Sequence, residues 1–290
     1  MQKFYIFISF LLFGSCIKAQ DSSLAQLVND SSINENSIVK GTFKATQIVN
    51  MPTIESPAKG GLQFMIMHRF GRLNEGAYEL WGLDNATIRF ALDYGISDRL
   101  SIGIGRSSHD KTYDGSFKWK ALQQKEQGMP FSASLYGLIA YSTLKYSDKP
   151  YLNGTFRTSY LTQALLARKF SRNLSLQLAP SWMHFNLVPT EEDNNNVFAI
   201  GFGGRMKVSK RVSINAEYNY VPDGQIVTND ITNSLSFGMD IETGGHVFQL
   251  VFSNSQGMVG PAYLAKTTGK WGDGDIYFGF NITRAFTLKR

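Results

Sequence analysis

From Thr42 onward, apolar and polar side chains alternate in runs of about ten residues, the period-2 signature of strands with two unlike faces. Ala86, Ile88, Phe90, Leu92 and Tyr94 share one parity, against Thr87, Arg89, Ala91, Asp93 and Gly95. Val212, Ile214, Ala216, Tyr218 and Tyr220 likewise oppose Ser213, Asn215, Glu217 and Asn219, and Ile276, Phe278, Phe280 and Ile282 oppose Tyr277, Gly279, Asn281 and Thr283. Helical spacing fits none of these. The pattern predicts twelve strands, over residues 61–70, 85–96, 99–108, 115–123, 131–143, 155–170, 173–185, 196–208, 211–221, 234–242, 246–253 and 275–286. Soluble strands usually run about five or six residues, whereas a tilted strand crossing hydrocarbon needs about 9–11. These lengths favour a membrane.

The connections point the same way. Tight joins at 97–98, 171–172, 209–210 and 243–245 alternate with long ones at 71–84, 144–154, 186–195, 222–233 and 254–274, as short periplasmic turns alternate with long external loops in bacterial barrels. The join at 124–130 is longer than that rule prefers, but its place in the alternation is periplasmic. Residues 42–49 would make a thirteenth strand; a barrel that starts and ends in the periplasm needs an even number, so this segment belongs to the periplasmic mouth or the lumen. Alternation alone does not say which face is inside, so a secreted sandwich or a lipocalin-like barrel with its apolar face inward is the competing fold. The polar face decides. It carries Gly103, Gly105, Gly203, Gly238 and Gly279 among Ser and Asn, a poor soluble exterior but one that leaves room in a lumen. An Arg at the bilayer midplane costs about 2–4 kcal/mol on the outer face, so Arg69, Arg89 and Arg205 point inward. The expected fold is all-β: a closed antiparallel transmembrane barrel with a polar lumen, free of the unpaired edges that lipid cannot satisfy. Tyr78, Trp81, Trp119, Tyr141, Trp182, Tyr220 and Tyr277 fall near strand ends or loops, where amphipathic rings collect at membrane interfaces.

Composition narrows the class further. The 290 residues are 43% hydrophobic, too apolar for a disordered chain, and 18% charged, against roughly 25–35% on a typical soluble surface. Residues 1–3 carry a positive charge, residues 4–13 are an apolar run, and Ala19 offers a cleavage site: a secretory signal over 1–19. The run is too short for a membrane-crossing helix, which needs about 20 residues. Lipidation at Cys16, after Gly14 and Ser15, is the alternative processing, with Phe13 fitting it poorly. Cleavage after Ala19 removes the chain's one cysteine, so disulfides, thiolate metal sites and cysteine nucleophiles drop out. It leaves 27 basic against 23 acidic side chains, a net +4, scattered rather than striped, and no nucleic-acid partner is expected. The organisation is then a signal peptide (1–19), a periplasmic N-terminal segment (20–59) and the barrel (60–290).

At His68-Arg69-Phe70-Gly71, Tyr78-Glu79-Leu80-Trp81-Gly82-Leu83-Asp84, Leu92-Asp93-Tyr94-Gly95 and Ile102-Gly103-Ile104-Gly105-Arg106-Ser107-Ser108 the chain resembles an uncharacterised family of outer-membrane β-barrel proteins from Bacteroidota. The resemblance runs from about residue 43 to 286, with residues 60–115 its most specific stretch. It implies a barrel and an outer-membrane address, and it brings no substrate or catalytic residue. Phe286 is followed by Thr287 and three further residues instead of closing the chain as a terminal aromatic.

The candidate chemistry is the set of inward charges: Arg69, Arg89, Asp93, Arg205, Lys207, Glu217, Asp240 and Glu242. Arg205, Glu217 and Asp240 lie on three consecutive strands and could form one ladder of mixed sign, suited to polar solutes rather than to one ion type. The competing reading is that these pairs brace a narrow lumen; eight strands already suffice for side chains to fill the interior, and twelve leave the choice open. His68, His109 and His184 fall at external strand ends and His246 at a periplasmic end. They sit on separated strands, which weighs against metal capture at the rim, and no Ser is placed beside them as a lipid-hydrolase pair would require. Glu191, Glu192 and Asp193, and the stretch from Trp271 to Asp275, lack calcium-loop spacing and read as solvated loop tips. Gly103-Ile104-Gly105 is followed by no helix, so it is not a dinucleotide site. The expected function is a passive or weakly selective channel for small polar solutes, without cofactor, metal or catalytic residues. Its partners are outer-membrane lipid and the barrel-assembly machinery. The alternatives are a closed structural or interaction barrel using its external loops, and a membrane-anchored hydrolase.

Overall fold

The computed structural model describes residues 37–228 and 230–288; the expected signal peptide, Cys16 and the chain through residue 36 lie outside the described residues. Among the described residues twelve strands close into one antiparallel barrel: β1 (Gly61–Arg72), β2 (Ala86–Gly95), β3 (Leu100–Ser107), β4 (Thr112–Leu122), β5 (Ser132–Ser142), β6 (Thr158–Lys169), β7 (Leu174–Phe185), β8 (Asn196–Lys207), β9 (Val212–Tyr220), β10 (Ser234–Thr243), β11 (His246–Ser253) and β12 (Tyr277–Thr287). Each strand pairs with its neighbours in sequence, and β12 closes on β1 from Gly61↔Thr287 to Arg69↔Gly279, with a bulge before Arg72.

Side chains alternate across the wall as the pleat requires. On β2 Phe90, Leu92 and Tyr94 are exposed while Arg89 and Ala91 are buried, and Ile102, Ile104, Phe117, Trp119, Phe198 and Phe202 continue the exposed apolar surface on other strands. An apolar belt around the barrel exceeds anything a soluble monomer presents and suits a wall that faces lipid. The sandwich and the inward-apolar barrel are thereby excluded. Trp119, Tyr141, Trp182 and Tyr220 are exposed, as interfacial rings should be, but Tyr277 is not. It shares its parity with Gly279 and Asn281, and its hydroxyl accepts a hydrogen bond from Arg72 Nε at 2.9 Å.

Apart from the join after β4, the connections at the end that holds both barrel termini are short, and those at the other end are long apart from residues 108–111 between β3 and β4. The long periplasmic join after β4 has a use. It docks the incoming N-terminal segment, through Val39 N–H to Gln124 O at 2.9 Å and Glu126 N–H to Ser37 O at 3.0 Å.

The barrel is not hollow. Residues 42–56 thread the periplasmic half of the interior, where Phe43, Ile48, Val49, Met51 and Ile54 pack against Leu165, Ala167, Ala179 and Val251 of the wall. The β11–β12 connection folds back into the external half and carries a short helix, α1 (Gly260–Ala265), with Pro261 in its first turn. Val259, Tyr263, Leu264 and Ala265 pack there against Leu138, Leu161, Met183, Val197 and Val221. The inward face therefore carries apolar side chains as well as the polar set, because at this level it packs against a helix.

Candidate functional site

Residues 46–53 form a tight hairpin inside the barrel: Ile48 N–H bonds Met51 O and Thr53 N–H bonds Thr46 O, both at 2.8 Å. Its tip is a nest of three successive N–H groups aimed at one carboxylate. Val49 and Met51 donate to Glu217 Oε2 at 3.0 and 2.9 Å, and Asn50 donates to Oε1 at 3.0 Å. Irregular backbone at membrane depth must find partners in the protein, since lipid and dry interior offer none. The wall supplies them. Gln249 donates to Ile48 O at 2.7 Å, Asn281 to Val49 O at 3.0 Å and Gln177 to Pro52 O at 2.7 Å, while Ile54 N–H returns a bond to Gln177 Oε1 at 3.1 Å.

Arg69 is fully buried and Glu217 is 1% exposed. The two charges do not touch; Asn50 stands between them. Its Oδ1 accepts from Arg69 Nη2 at 2.9 Å while its N–H donates to Glu217, and Arg69 Nη1 reaches Asn281 Oδ1 at 2.9 Å. Asn50 thus bridges a buried arginine and a buried glutamate on the wall, while Val49, Met51 and Asn281 supply their further partners and Arg69 Nε is left without one. Glycines make the space: a Cβ on Gly203 would lie 2.5 Å from Ile48, one on Gly201 2.5 Å from Met51, and one on Gly238 3.1 Å from Val49.

The remaining charges anchor the segment or brace the wall. Glu242 bonds Arg205 at 2.5 Å and meets Lys44 of the segment at 3.2 Å. Asp240 accepts from Gln249 at 2.5 Å. Arg89 binds Asp114 through two bonds at 3.1 and 2.6 Å. Asp93 leans over Gly103, where a Cβ would lie 2.2 Å from its Oδ1, and Lys207 is half-buried near the periplasmic end of β8. Arg205, Glu217 and Asp240 do not form one ladder. In the β8–β9–β10 register Arg205 faces Asn215, and Ser213 faces Asp240, so Arg205 turns to Ser213 and Glu242 while Glu217 is taken by the hairpin.

Sequence reasoning missed Asp114 and Lys118, the latter donating to Glu55 O at 2.7 Å. Placing the strand start at 115 hid the first; the alternation of Asp114, Ser116 and Lys118 against Tyr113, Phe117 and Trp119 carries the signal. The polar side chains that hold the hairpin, Gln177, Gln249 and Asn281, carry no charge and were not among the candidate residues. Between hairpin and wall, beside Arg89, Asp93, Lys118 and Tyr136, the interior leaves a cavity of about 20 Å³, room for about one water. The hairpin and α1 pack against the inner wall at its two ends.

The histidines do other work. His68 stacks on Phe280 on the outer face, at 4.9 Å between ring centroids, and His184 Nδ1 meets Asn196 Oδ1 at 2.9 Å. Among the described residues no cluster of three His, Cys, Asp or Glu is placed to hold a metal ion.

Residues 43–286 match the family described as a membrane bound beta barrel domain (DUF5777). The chain belongs to that family. The match begins at Phe43, so the DUF5777 domain spans the internal hairpin as well as the wall. This DUF5777 barrel is similar to a NanC porin at 9% identity, with a TM-score of 0.49 over 78% of this chain and 100% of that one. It is similar to a KdgM porin at 8% identity, with a TM-score of 0.47 over 78% and 99% of the two chains. It is also similar to the COG4313 outer membrane channel from Pseudomonas putida F1, at 12% identity and a TM-score of 0.48 over 80% and 97%. No curated protein sequence matches the chain.

Proposed function

We propose that this barrel is a plug-controlled channel, a passive or weakly selective path for small polar solutes across the outer membrane of a Bacteroidota cell. The Bacteroidota source is supported by the motif resemblance between residues 60 and 115. Outer-membrane lipid is its solvent, and the barrel-assembly machinery inserts it. One observation carries the reading. Twelve strands enclose more space than wall side chains need, and that space is filled by a separate segment, held through hydrogen bonds and one carboxylate nest rather than built into the wall. Such a filling can leave while the barrel stays closed on itself. Planar-bilayer recording tests it: the full chain is expected to stay mostly closed, and a variant lacking residues 42–54, with the 254–276 connection shortened to remove α1, to give steady ohmic current. A folded deletion variant that passes no current at any voltage would retire the channel.

A second reading has its own support. With α1 buried on the external side as well, the barrel is closed twice, as a structural or interaction barrel would be. We further read the protein as non-enzymatic, because the imidazole of His68 packs on Phe280 and that of His184 bonds Asn196 rather than a serine hydroxyl.

A further inference from the structure

On the external side of α1, the β5–β6 loop (residues 143–157), the β7–β8 loop (residues 186–195) and the helix enclose a cavity of about 440 Å³, within the range of small-molecule sites, about 300–1,000 Å³. Tyr146, Leu187 and Ala262 give it apolar walls, and Lys149, Arg157 and Lys266 bring three cations to it. Lys266 is neutralised by Asp110 at 2.7 Å. Lys149 and Arg157 are not. Both lie over the Tyr146 ring, at 5.1 and 5.9 Å from its centroid. Arg157 donates to the carbonyl oxygens of Ser142, Leu144 and Leu152, which carry no charge. Among the described residues neither cation forms an ion pair. Asp193, the other carboxylate at the cavity, is engaged by Thr190, Val227 and Thr228.

We propose that this cavity binds a small organic anion with an apolar ring. Its carboxylate takes up the uncompensated charge of Lys149 and Arg157, and its ring packs against Tyr146 and Leu187 above Ala262. Neither half of that chemistry suffices alone: an inorganic anion leaves the apolar walls uncovered, and a neutral ring leaves the cations unpaired. The site stands whether or not the barrel conducts, since it lies outside the closure.

Calorimetric titration of the full chain in lipid nanodiscs tests this with three probes: 2-naphthoate, its neutral amide and inorganic phosphate. Naphthoate is expected to bind at least tenfold tighter than either other probe. Lys149→Glu should weaken it at least tenfold and Tyr146→Ala at least fivefold. Both side chains are exposed, and unchanged heat-shifted migration of the folded barrel confirms that each variant is intact. Naphthoate binding no tighter than the amide, or binding indifferent to Lys149→Glu, overturns the proposal.

Discussion

Asn50 and Glu217 carry more than their size suggests, because each closes a pair of obligations that a dry interior enforces. Removing the Glu217 carboxylate strands three backbone N–H groups at the hairpin tip, at about 1–3 kcal/mol for each buried donor left without a partner. Glu217→Ala should therefore release the hairpin with the wall intact, seen as new hydrogen exchange at residues 48–51 while the strands remain protected. Exchange at the tip no faster than in the unaltered protein would contradict this. Glycine at 203 makes the complementary case from the wall side. Gly203→Val places methyl groups where Ile48 Cδ1 and Met51 Cε now lie, so those flexible side-chain ends must move aside and the hairpin should loosen, less than in Glu217→Ala, without losing a hydrogen bond; the same exchange measurement checks it. The five glycines of the polar face were legible as room in the lumen. What fills the room was not: Gly103 and Gly105 make way for Asp93 and Asp114, Gly203 and Gly238 for the hairpin, and Gly279 for Arg69 and the neighbouring backbone. Alternation tells which face is small, and says nothing of a segment brought in from residues far away in sequence.

At the scale of elements, all twelve strands could be read from the chain to within about three residues, because pleat and lipid together impose a period of two over about ten residues. The loops escaped, since their order comes from capture by the barrel and not from local pattern. Residues 42–49 alternate like a strand and are held by side-chain bonds instead of a ladder, and the 254–276 connection hides a helix of six residues, too short to show a period. Leu264 and Tyr263 of α1 are each 1% exposed, so Leu264→Ala should cost the closure about 2–5 kcal/mol and make the 254–276 connection newly sensitive to protease in intact cells. Unchanged resistance would show that α1 is held by something else. Asp193 orders the loops beside it. The Thr228 hydroxyl first, then the Thr228 N–H, with the Val227 and Thr190 N–H groups behind, hold its carboxyl below the usual carboxylate range against the opposing effect of burial. A depressed carboxyl stabilises above its ordinary pKa near 4 and loses that contribution as pH falls through the lowered value. Cleavage within residues 186–195 should therefore rise only in strong acid for the native protein, and at neutral pH for Asp193→Asn. Equal cleavage of the two at neutral pH would rule this out.

For the whole molecule, the outward turn of the apolar face was legible because the cost of an arginine in lipid fixes the sign that alternation leaves open. Whether the barrel stands open was not legible, and the inward charges show why: Arg69, Arg205, Glu217 and Glu242 look alike in sequence whether they line water or grip a plug. In the proposed function the internal hairpin is the gate. The most direct measurement locks it. A Cβ on Gly238 would lie 3.1 Å from Val49 Cγ2, close to the roughly 3 Å between a Cβ and the far sulfur of a disulfide, so Val49→Cys with Gly238→Cys should tie the hairpin tip to β10 when oxidised. Single-channel recording is predicted to show no openings from the oxidised barrel and openings that return on reduction. Current that persists in the oxidised state, or none in either state, would contradict the account.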